Sequence, residues 1–475
     1  MVMEKKMLNI KQPYWVSIPY RDPLDYAVVF SKLDYFVFLD SMQFNSNFGR
    51  YSYIAIDPFA TLIYRDNNIY FNGKVMTVTK NIFTLLYNQL QSFSFSSNLN
   101  LPPFQGGVAG FFSYDLIRDL ENLPNYSQDD MRYPRMAVGF YDLIIAFDHV
   151  KQQAWIVSSG LPEKNKERRL RRSKLRLTWC LQKIKNIKIP PLIAKPLIKE
   201  NDISNCFTEK TYIEAIEKCR RYILDGDIFE VNLSQRFQGS FPKNSEFILY
   251  QRIRALNPAP FGAYVRFNDT TIISSSPERF LKLHNRKIET RPIKGTIRRS
   301  KDTKEDSALA QTLSTSSKDR AENTMIVDLM RNDLSKVCFI DSIKVPAYCE
   351  VESYETVHHL VSTIEGKLKD NFHAVDLLCA AFPGGSVTGA PKIRAMEVIE
   401  KLEPTRRGPY CGSVGYIGFD GGMDTSILIR TYIIKNYTVT FQSGGAIVLD
   451  SDPLAEYEET LIKASALKQA LIIKI

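Results

Sequence analysis

The sequence predicts an α+β fold, and three observations carry that reading. Short β-rich runs separated by turns follow one another through the first 160 residues and again beyond residue 205. Helical periodicity falls in stretches grouped between those runs, not one per strand, which argues against a doubly wound parallel sheet. At 475 residues the chain exceeds most single domains, so two lobes or one very large domain are expected.

In the first region, 1–160, strands are predicted over 35–39, 51–56, 60–64, 68–71, 136–140 and 143–147. The stretch 104–114 is glycine-rich but lacks G-x-G-x-x-G spacing, so it reads as close backbone packing and not as a phosphate loop. A basic connector is expected over 161–200, ending in the cluster Pro190, Pro191 and Pro196. A catalytic region is expected over 205–475. It opens with a helix over 208–224 that places Tyr212, Ile216, Cys219 and Ile223 on one face. A turn into a strand follows over 226–236, then strands over 261–267, 271–275 and 280–283. A helix over 316–331 has Ser316 as N-cap and Asp319 completing a capping box. A β-rich run is read at 356–365, helices at 374–382 and 390–402, and strands at 411–419, 425–435 and 437–448. The last helix starts at Ser451-Asp452-Pro453, a cap followed by proline in the first turn.

Composition narrows the function classes. A 44% hydrophobic and 24% charged chain is an ordinary folded protein, which excludes a disordered one. No apolar run is long enough to span a bilayer, and the first twelve residues lack an apolar signal core, so a cytoplasmic protein without membrane association is expected. The seven cysteines are odd in number and never at C-x-x-C spacing, which argues against a disulfide framework or a structural zinc. Between 163 and 200, thirteen basic residues face three acids, a surplus of ten that equals the +10 of the whole chain. The charge is therefore local. Leu170, Leu175, Leu177 and Leu181 within this segment allow a basic helix, and the segment reads as a solvated connector, not a nucleic-acid surface.

The chemistry centres on Arg291-Pro292-Ile293-Lys294-Gly295-Thr296. Pro292 biases Arg291 toward extended geometry, and Gly295 lets the backbone bend just after the lysine. Taken alone, Lys294 reads as a surface lysine in a turn. In a water-poor pocket it would have a depressed pKa and act as an amine nucleophile. Around it stand candidate partners. Glu456, Glu459 and Lys463 share one face of the last helix, and Asp319 and Glu322 share one face of the 316–331 helix. Such pairs are either solvated surface or a Mg²⁺ site completed by a substrate's own oxygens. No His/Cys cluster competes for a softer metal. His358 and His359 lie in a strand-like run, so one should point inward. Arg430 is a charge inside an apolar strand and calls for a carboxylate partner. The backbone of Ser443-Gly444-Gly445-Ala446 offers N–H groups to a second carboxylate.

At these residues the chain resembles the chorismate-utilising enzymes. The resemblance rests on Ser276-Pro277-Glu278-Arg279-Phe280, the Lys294 stretch, Lys318-Asp-Arg-Ala-Glu-Asn-Thr324 with Asp328-Leu-Met-Arg-Asn-Asp-Leu334, His359-Leu-Val-Ser362, Pro383-Gly-Gly-Ser-Val-Thr-Gly-Ala-Pro-Lys392, Ile429-Arg-Thr431, Ser443–Ala446 and Glu456-Tyr-Glu-Glu-Thr460. They run in family order from about residue 208 to the end, and the N-terminal region matches more loosely. The resemblance implies a large two-lobed antiparallel β-sandwich with helices outside. Within the family, Lys294 and Asn257-Pro-Ala-Pro-Phe261 point to the branch that aminates chorismate at C4 and keeps its pyruvyl group. The anthranilate-forming branch, the alternative, typically has alanine at the lysine position.

The resemblance further implies roles. Lys294 would add at C2, Glu278 would protonate the leaving C4 hydroxyl, and ammonia would then expel the lysine. Mg²⁺ would be held through Glu322 and Glu459, with Asp319 and Glu456 nearby. Arg430, Tyr410, Lys463 and the backbone at Gly444 and Gly445 would hold carboxylates, with Thr388 lining the pocket. His359 matches a histidine that serves pyruvate elimination elsewhere in the family. Glu230 stands where relatives often have glutamine and isochorismate-forming ones a lysine. No cysteine has glutaminase surroundings, so ammonia is expected from a separate glutamine amidotransferase subunit.

Overall fold

Both halves of the chain supply strands to two facing antiparallel sheets. The computed structural model describes residues 12–43, 48–76, 81–188, 195–354 and 357–472. The first sheet runs in the order Tyr14–Ile18, Gln153–Ser158, Leu143–Asp148, Tyr51–Ala55, Phe36–Asp40, Phe261–Phe267, Thr270–Ser276, Thr431–Lys435, Thr438–Ile447, Glu230–Ser240, Ser204–Asn205. The second runs Ile293–Arg298, Val357–Lys367, Lys287–Thr290, Arg279–His284, Met423–Ile427, Ser413–Gly418, Gly107–Phe112, Met136–Tyr141, Ala60–Arg65, Asn68–Phe71, Lys74–Met76. Inner faces meet over a core that includes Val37, Tyr53, Phe104, Phe111, Tyr141, Val265 and Leu428. Helices Pro23–Phe30, Lys166–Lys183, Glu246–Leu256 and Pro453–Ile472 cover the outer face of the first sheet. Helices Ile82–Gln91, Ser317–Ser335 and Ala374–Ala381 cover that of the second. The sandwich with helices outside is the expected architecture.

Two features missed in the sequence matter for the site. The run read as one strand over 425–435 is two strands, Met423–Ile427 in the second sheet and Thr431–Lys435 in the first. Its residues are apolar on both sides of the crossing, so alternation could not mark where the chain changes sheets. The strand Thr270–Ser276 likewise crosses into Arg279–His284 through Pro277 and Glu278. The two corners brace each other: Ile427 N donates to the Glu278 carbonyl at 3.1 Å, and Ser275 N to the Arg430 carbonyl at 3.1 Å. Glu278 and Arg430 therefore sit at a rigid double corner.

The basic segment is not a bare connector. Asn165 caps the helix Lys166–Lys183, whose Cys180 is buried and whose Leu177, Trp179 and Leu181 pack on the first sheet. The helix allowed by its leucines is therefore formed, and it is docked, not solvated all round. Pro190, Pro191, residue 356 and the first eleven residues lie outside the described residues. The glycine-rich stretch forms the interior strand Gly107–Phe112, where a Cβ on Gly107 would stand 2.3 Å from the Ile417 carbonyl oxygen. The elements Tyr14–Ile18, Pro23–Phe30, Ile82–Gln91, Gln153–Ser158, Glu246–Leu256 and Thr303–Thr315 were also missed. Among the described residues all seven cysteines are free, and no helix is long and apolar enough to cross a membrane.

Candidate active site

A β-bulge turns Lys294 inward. Along the strand Ile293–Arg298, Ile293 faces Val361 and Thr296 faces His359, so one extra residue is accommodated at Lys294-Gly295. Gly295 has φ +83, and a Cβ there would lie 2.9 Å from the Asp319 carboxyl carbon. Only glycine lets the bulge form with the helix Ser317–Ser335 this close. Lys294 is 7% exposed, and its Nζ donates to Glu230 Oε1 at 2.7 Å. Glu230 is fully buried on the strand Glu230–Ser240, and its Oε2 has no hydrogen-bond partner.

The sequence led to a depressed lysine pKa, and here the structure corrects it. Burial pulls the Lys294 pKa down, but the carboxylates of Glu230, Glu322 and Glu278 outweigh burial and raise it. The resting side chain is an ammonium. Burial has the opposite effect on the acids beside it. Glu278 is pushed up to about 7 by burial, against the Ser386 hydroxyl hydrogen bond and the Lys294 charge. Glu322 is pushed up to about 7 by burial, with Lys294 pulling down and Glu230 pushing up. At neutral pH Glu278 is therefore poised to give up a proton. Ser386 is set by the loop after Pro383, which Lys392 anchors by donating to the Ala381 and Pro383 carbonyls at 2.9 Å each.

The acidic pairs converge from two helices. Ser316 caps Ser317–Ser335 by accepting from Asp319 N at 3.2 Å. The reciprocal bond of a capping box is absent, because Asp319 is turned toward Gly295. At the other helix Asp452 accepts from Ala455 N, and Ser451 Oγ donates to Glu456 at 2.7 Å. A Cβ on Gly445 would stand 3.1 Å from Glu456 Oε2 and 3.7 Å from Glu459 Oε1, so that glycine backs directly onto both carboxylates. Lys318, which the sequence reading did not assign, reaches among these acids. Its Nζ lies 3.3 Å from Glu456, and although burial lowers its pKa, Glu456, Glu322 and Glu459 raise it on balance. Lys463 pairs with Glu459 and donates to the Gly444 carbonyl at 3.2 Å. Glu322 Oε1 is buried without a partner.

Among the described residues no three His, Cys, Asp or Glu side chains cage a metal ion by themselves. The donors fit a magnesium ion in a different way. They are hard oxygens, one of them a buried orphan, set where a ligand or water would supply the remaining positions.

The remaining candidates surround this centre to different degrees. Arg430 has φ +50 and, among the described residues, no hydrogen bond or ion pair to its guanidinium. Burial lowers its pKa, as expected for a cation awaiting an anion. Both His358 and His359 are buried, on opposite faces of one strand, which corrects the expectation that one points inward. His359 bonds Thr296 Oγ1 through Nδ1 at 2.8 Å, and burial, with Arg430 and His358, pushes it down to about 3, so it is neutral. Past Phe441 the strand Thr438–Ile447 loses its neighbour Thr431–Lys435, so the backbone around Gly444 and Gly445 is paired on one side only. Thr388 is buried with its hydroxyl on the Gly384 carbonyl at 3.1 Å, and Tyr410 is buried beside Arg407. Ser443 Oγ and Asn232 Oδ1 are further buried orphans. Ser386 and Ser443 lie within motifs quoted above, but only the fold singles out their side chains, and nothing in the sequence marks Asn232.

The chain that carries this centre, a buried lysine among carboxylates beside an unpaired arginine at a sandwich corner, has clear relatives. Residues 39–469 match the family model described as chorismate binding enzyme. The chain belongs to that family. It is 39% identical over 470 residues to aminodeoxychorismate synthase component 1 of Salmonella typhimurium, covering 98% of this chain and 100% of that one. It is also 39% identical over 444 residues to the protein of that name from Escherichia coli K12, covering 93% of this chain and 94% of that one. The solved anthranilate synthase component I of Streptococcus pneumoniae TIGR4 superposes with a TM-score of 0.78 at 32% identity, covering 90% of this chain and 94% of that chain.

Proposed function

We propose that this chain acts as component I of an aminodeoxychorismate synthase. It converts chorismate and ammonia to 4-amino-4-deoxychorismate, a precursor of p-aminobenzoate and folate, in the cytoplasm. The observation that carries the reading is the buried Lys294, its Nζ 2.7 Å from Glu230. An amine in that place suits addition to a substrate carbon and not water activation. Glu278, with its pKa near 7, protonates the departing C4 hydroxyl. Lys294 adds at C2 as that hydroxyl leaves, and ammonia at C4 then expels it. Arg430 and the one-sided backbone at Gly444 and Gly445 hold substrate carboxylates, with Tyr410 and Thr388 shaping the wall. His359 stays neutral and bonded to Thr296, so its part is to position the bulge and not to carry a proton.

The reading includes a magnesium site. Glu322 and Glu459 would hold the ion, with Asp319 and Glu456 alongside. When bound, it supplies Lewis-acid charge to a substrate carboxylate. Mn²⁺ binding followed by electron paramagnetic resonance should weaken at least tenfold in Glu322→Gln, and equal binding would remove Glu322 from the ligand set.

Ammonia is drawn from a glutamine amidotransferase subunit, overall an amino transfer from glutamine. The name of the relatives, component 1, and the absence of glutaminase surroundings at any cysteine support this. The decisive experiment incubates the purified chain with chorismate, Mg²⁺ and ammonium, with and without an aminodeoxychorismate lyase. p-Aminobenzoate that depends on the lyase is expected. Anthranilate formed without the lyase would make the chain an anthranilate synthase component I.

A further inference from the structure

Among the described residues Glu230 is the one buried carboxylate hydrogen-bonded to the reactive amine. It lies on a different element from the acids assigned above, at 0% exposure, with one oxygen 2.7 Å from Lys294 Nζ and the other bonded to nothing. The functional reading leaves a gap at this pair. An ammonium cannot attack carbon, and a lysine 2.7 Å from a buried carboxylate rests in an ion pair with it. The groups that face it are Glu230 from the strand, Glu322 and Asp319 from the helix Ser317–Ser335, Glu278 from the corner, Glu459 from the last helix and neutral His359 across the sheet. Of these only Glu230 is hydrogen-bonded to the nitrogen. No water path is needed for a proton to move over that distance.

We propose that Glu230 is the proton acceptor that frees Lys294 as an amine for attack and returns the proton when the amine is expelled. The proposal rests on the amination reading above. The steps balance. The N–H proton passes from Lys294 to Glu230, leaving a neutral amine and a carboxylic acid. The lysine nitrogen then bonds to C2 while the C4–O bond breaks, and the Glu278 proton leaves with that oxygen as water. Ammonia bonds to C4 and the C2–N bond breaks, releasing the neutral lysine amine, which recovers its proton from Glu230. The attacking ammonia leaves as the product's ammonium, and Glu278 is reprotonated from solvent. Burial of Glu230 away from water keeps that proton in place between the two transfers, and its unbonded oxygen leaves it free to carry one.

A mere counter-ion role predicts the opposite sign. Removing a counter-charge lowers the lysine pKa, so more free amine forms and turnover holds or rises. Removing a proton acceptor slows the chemical step. The test is kcat against pH from 6 to 9 for the parent, Glu230→Gln and Glu230→Asp, with saturating chorismate, Mg²⁺ and ammonium and product read through the lyase. The expected result is a fall in kcat of about a hundredfold or more for Glu230→Gln at neutral pH. The deficit of Glu230→Gln relative to the parent at the same pH should shrink as pH rises and hydroxide takes over deprotonation. Glu230→Asp keeps a carboxylate at longer reach and should restore the parent's pH profile at an intermediate rate. A Glu230→Gln kcat within threefold of the parent overturns the proposal. If Glu230→Gln does not fold, an aspartate variant whose profile matches no proton acceptor, rising with pH without a plateau, overturns it equally. A parent that makes no lyase-dependent p-aminobenzoate would overturn the amination reading instead, so the two failures are separable.

Discussion

Two buried charge clusters share the strand Glu230–Ser240, and they are built on opposite terms. At its start, Glu230 meets Lys294 with one carboxylate oxygen unbonded, and Glu322 nearby also has an orphan oxygen. Four residues on, Ser234 donates through N and Oγ to Glu403 at 2.8 and 2.9 Å. Arg407 completes that second cluster, bonding Glu403 and the carbonyls of Val387 at 2.8 Å and Asn232 at 2.6 Å. Every guanidinium nitrogen and both carboxylate oxygens of the Glu403–Arg407 pair have a partner within the protein. Unmet valence in a buried cluster costs stability and persists where something else is to be bound or transferred. The saturated cluster has the character of a structural one, and the unsaturated one is where the proposed function places the chemistry.

The sharpest way to break this contrast is to remove the cation from each cluster. Lys294→Met should lower amination at least about a thousandfold with the fold intact, since the group removed is the one proposed to bond to substrate. Arg407→Leu should instead cost about 3–5 kcal/mol of stability, because Glu403 is left buried and unpaired. Initial rates and chemical denaturation of the two variants check the pair. An Arg407→Leu protein as stable as the parent would show the second cluster to be expendable.

Glu278 lets the contrast be read against pH. Burial raises its carboxyl from the ordinary 4.5 to about 7, so the folded protein holds the proton more tightly than the unfolded chain does. The resulting stabilisation is complete below about pH 4.5 and is lost as pH rises through 7. Above that, the fold carries a buried carboxylate at a cost of about 3 kcal/mol. Turnover should decline through the same range as the general acid ionises. Glu278→Gln should lower kcat by about 10²–10⁴. It should also gain about 1–3 kcal/mol over the parent at pH 8, with no gain at pH 5. Melting curves at the two pH values decide this. Equal shifts at both would place the cost of the site elsewhere.

How much of this was legible beforehand follows from the same physics. The residue types at Lys294, Glu278, Glu322, Glu459 and Arg430 carry their chemistry in their side chains, and their motifs stand in one order along the chain. Their protonation states were not legible. The lysine was expected to be depressed because burial alone depresses it; that three carboxylates would converge on it depends on a bulge at Gly295, a helix and a sheet corner. The corners were equally hidden. Leu428, Ile429 and Arg430 join two strands without a turn signal, since none of the three is a glycine, proline, asparagine or aspartate. The basic helix was legible as a possibility from its leucines, but that it docks on the first sheet through Leu177, Trp179 and Leu181 was not.

Gly295 offers the finest cut, because it alters the placement of Lys294 without touching its chemistry. At φ +83 an alanine would be strained, and its Cβ would press on Asp319 at 2.9 Å. Relief requires the bulge to flatten or the helix Ser317–Ser335 to withdraw. Flattening returns the strand to regular alternation, which swings Lys294 away from Glu230. Withdrawal carries Glu322 outward with Asp319. Gly295→Ala should therefore cost about 1–3 kcal/mol of stability and lower turnover by more than that strain alone explains. Flattening predicts a loss in kcat with metal affinity kept, whereas withdrawal predicts weaker Mn²⁺ binding as well. Measuring both on the one variant shows whether the lysine or the acid pair is the part that the glycine holds in place.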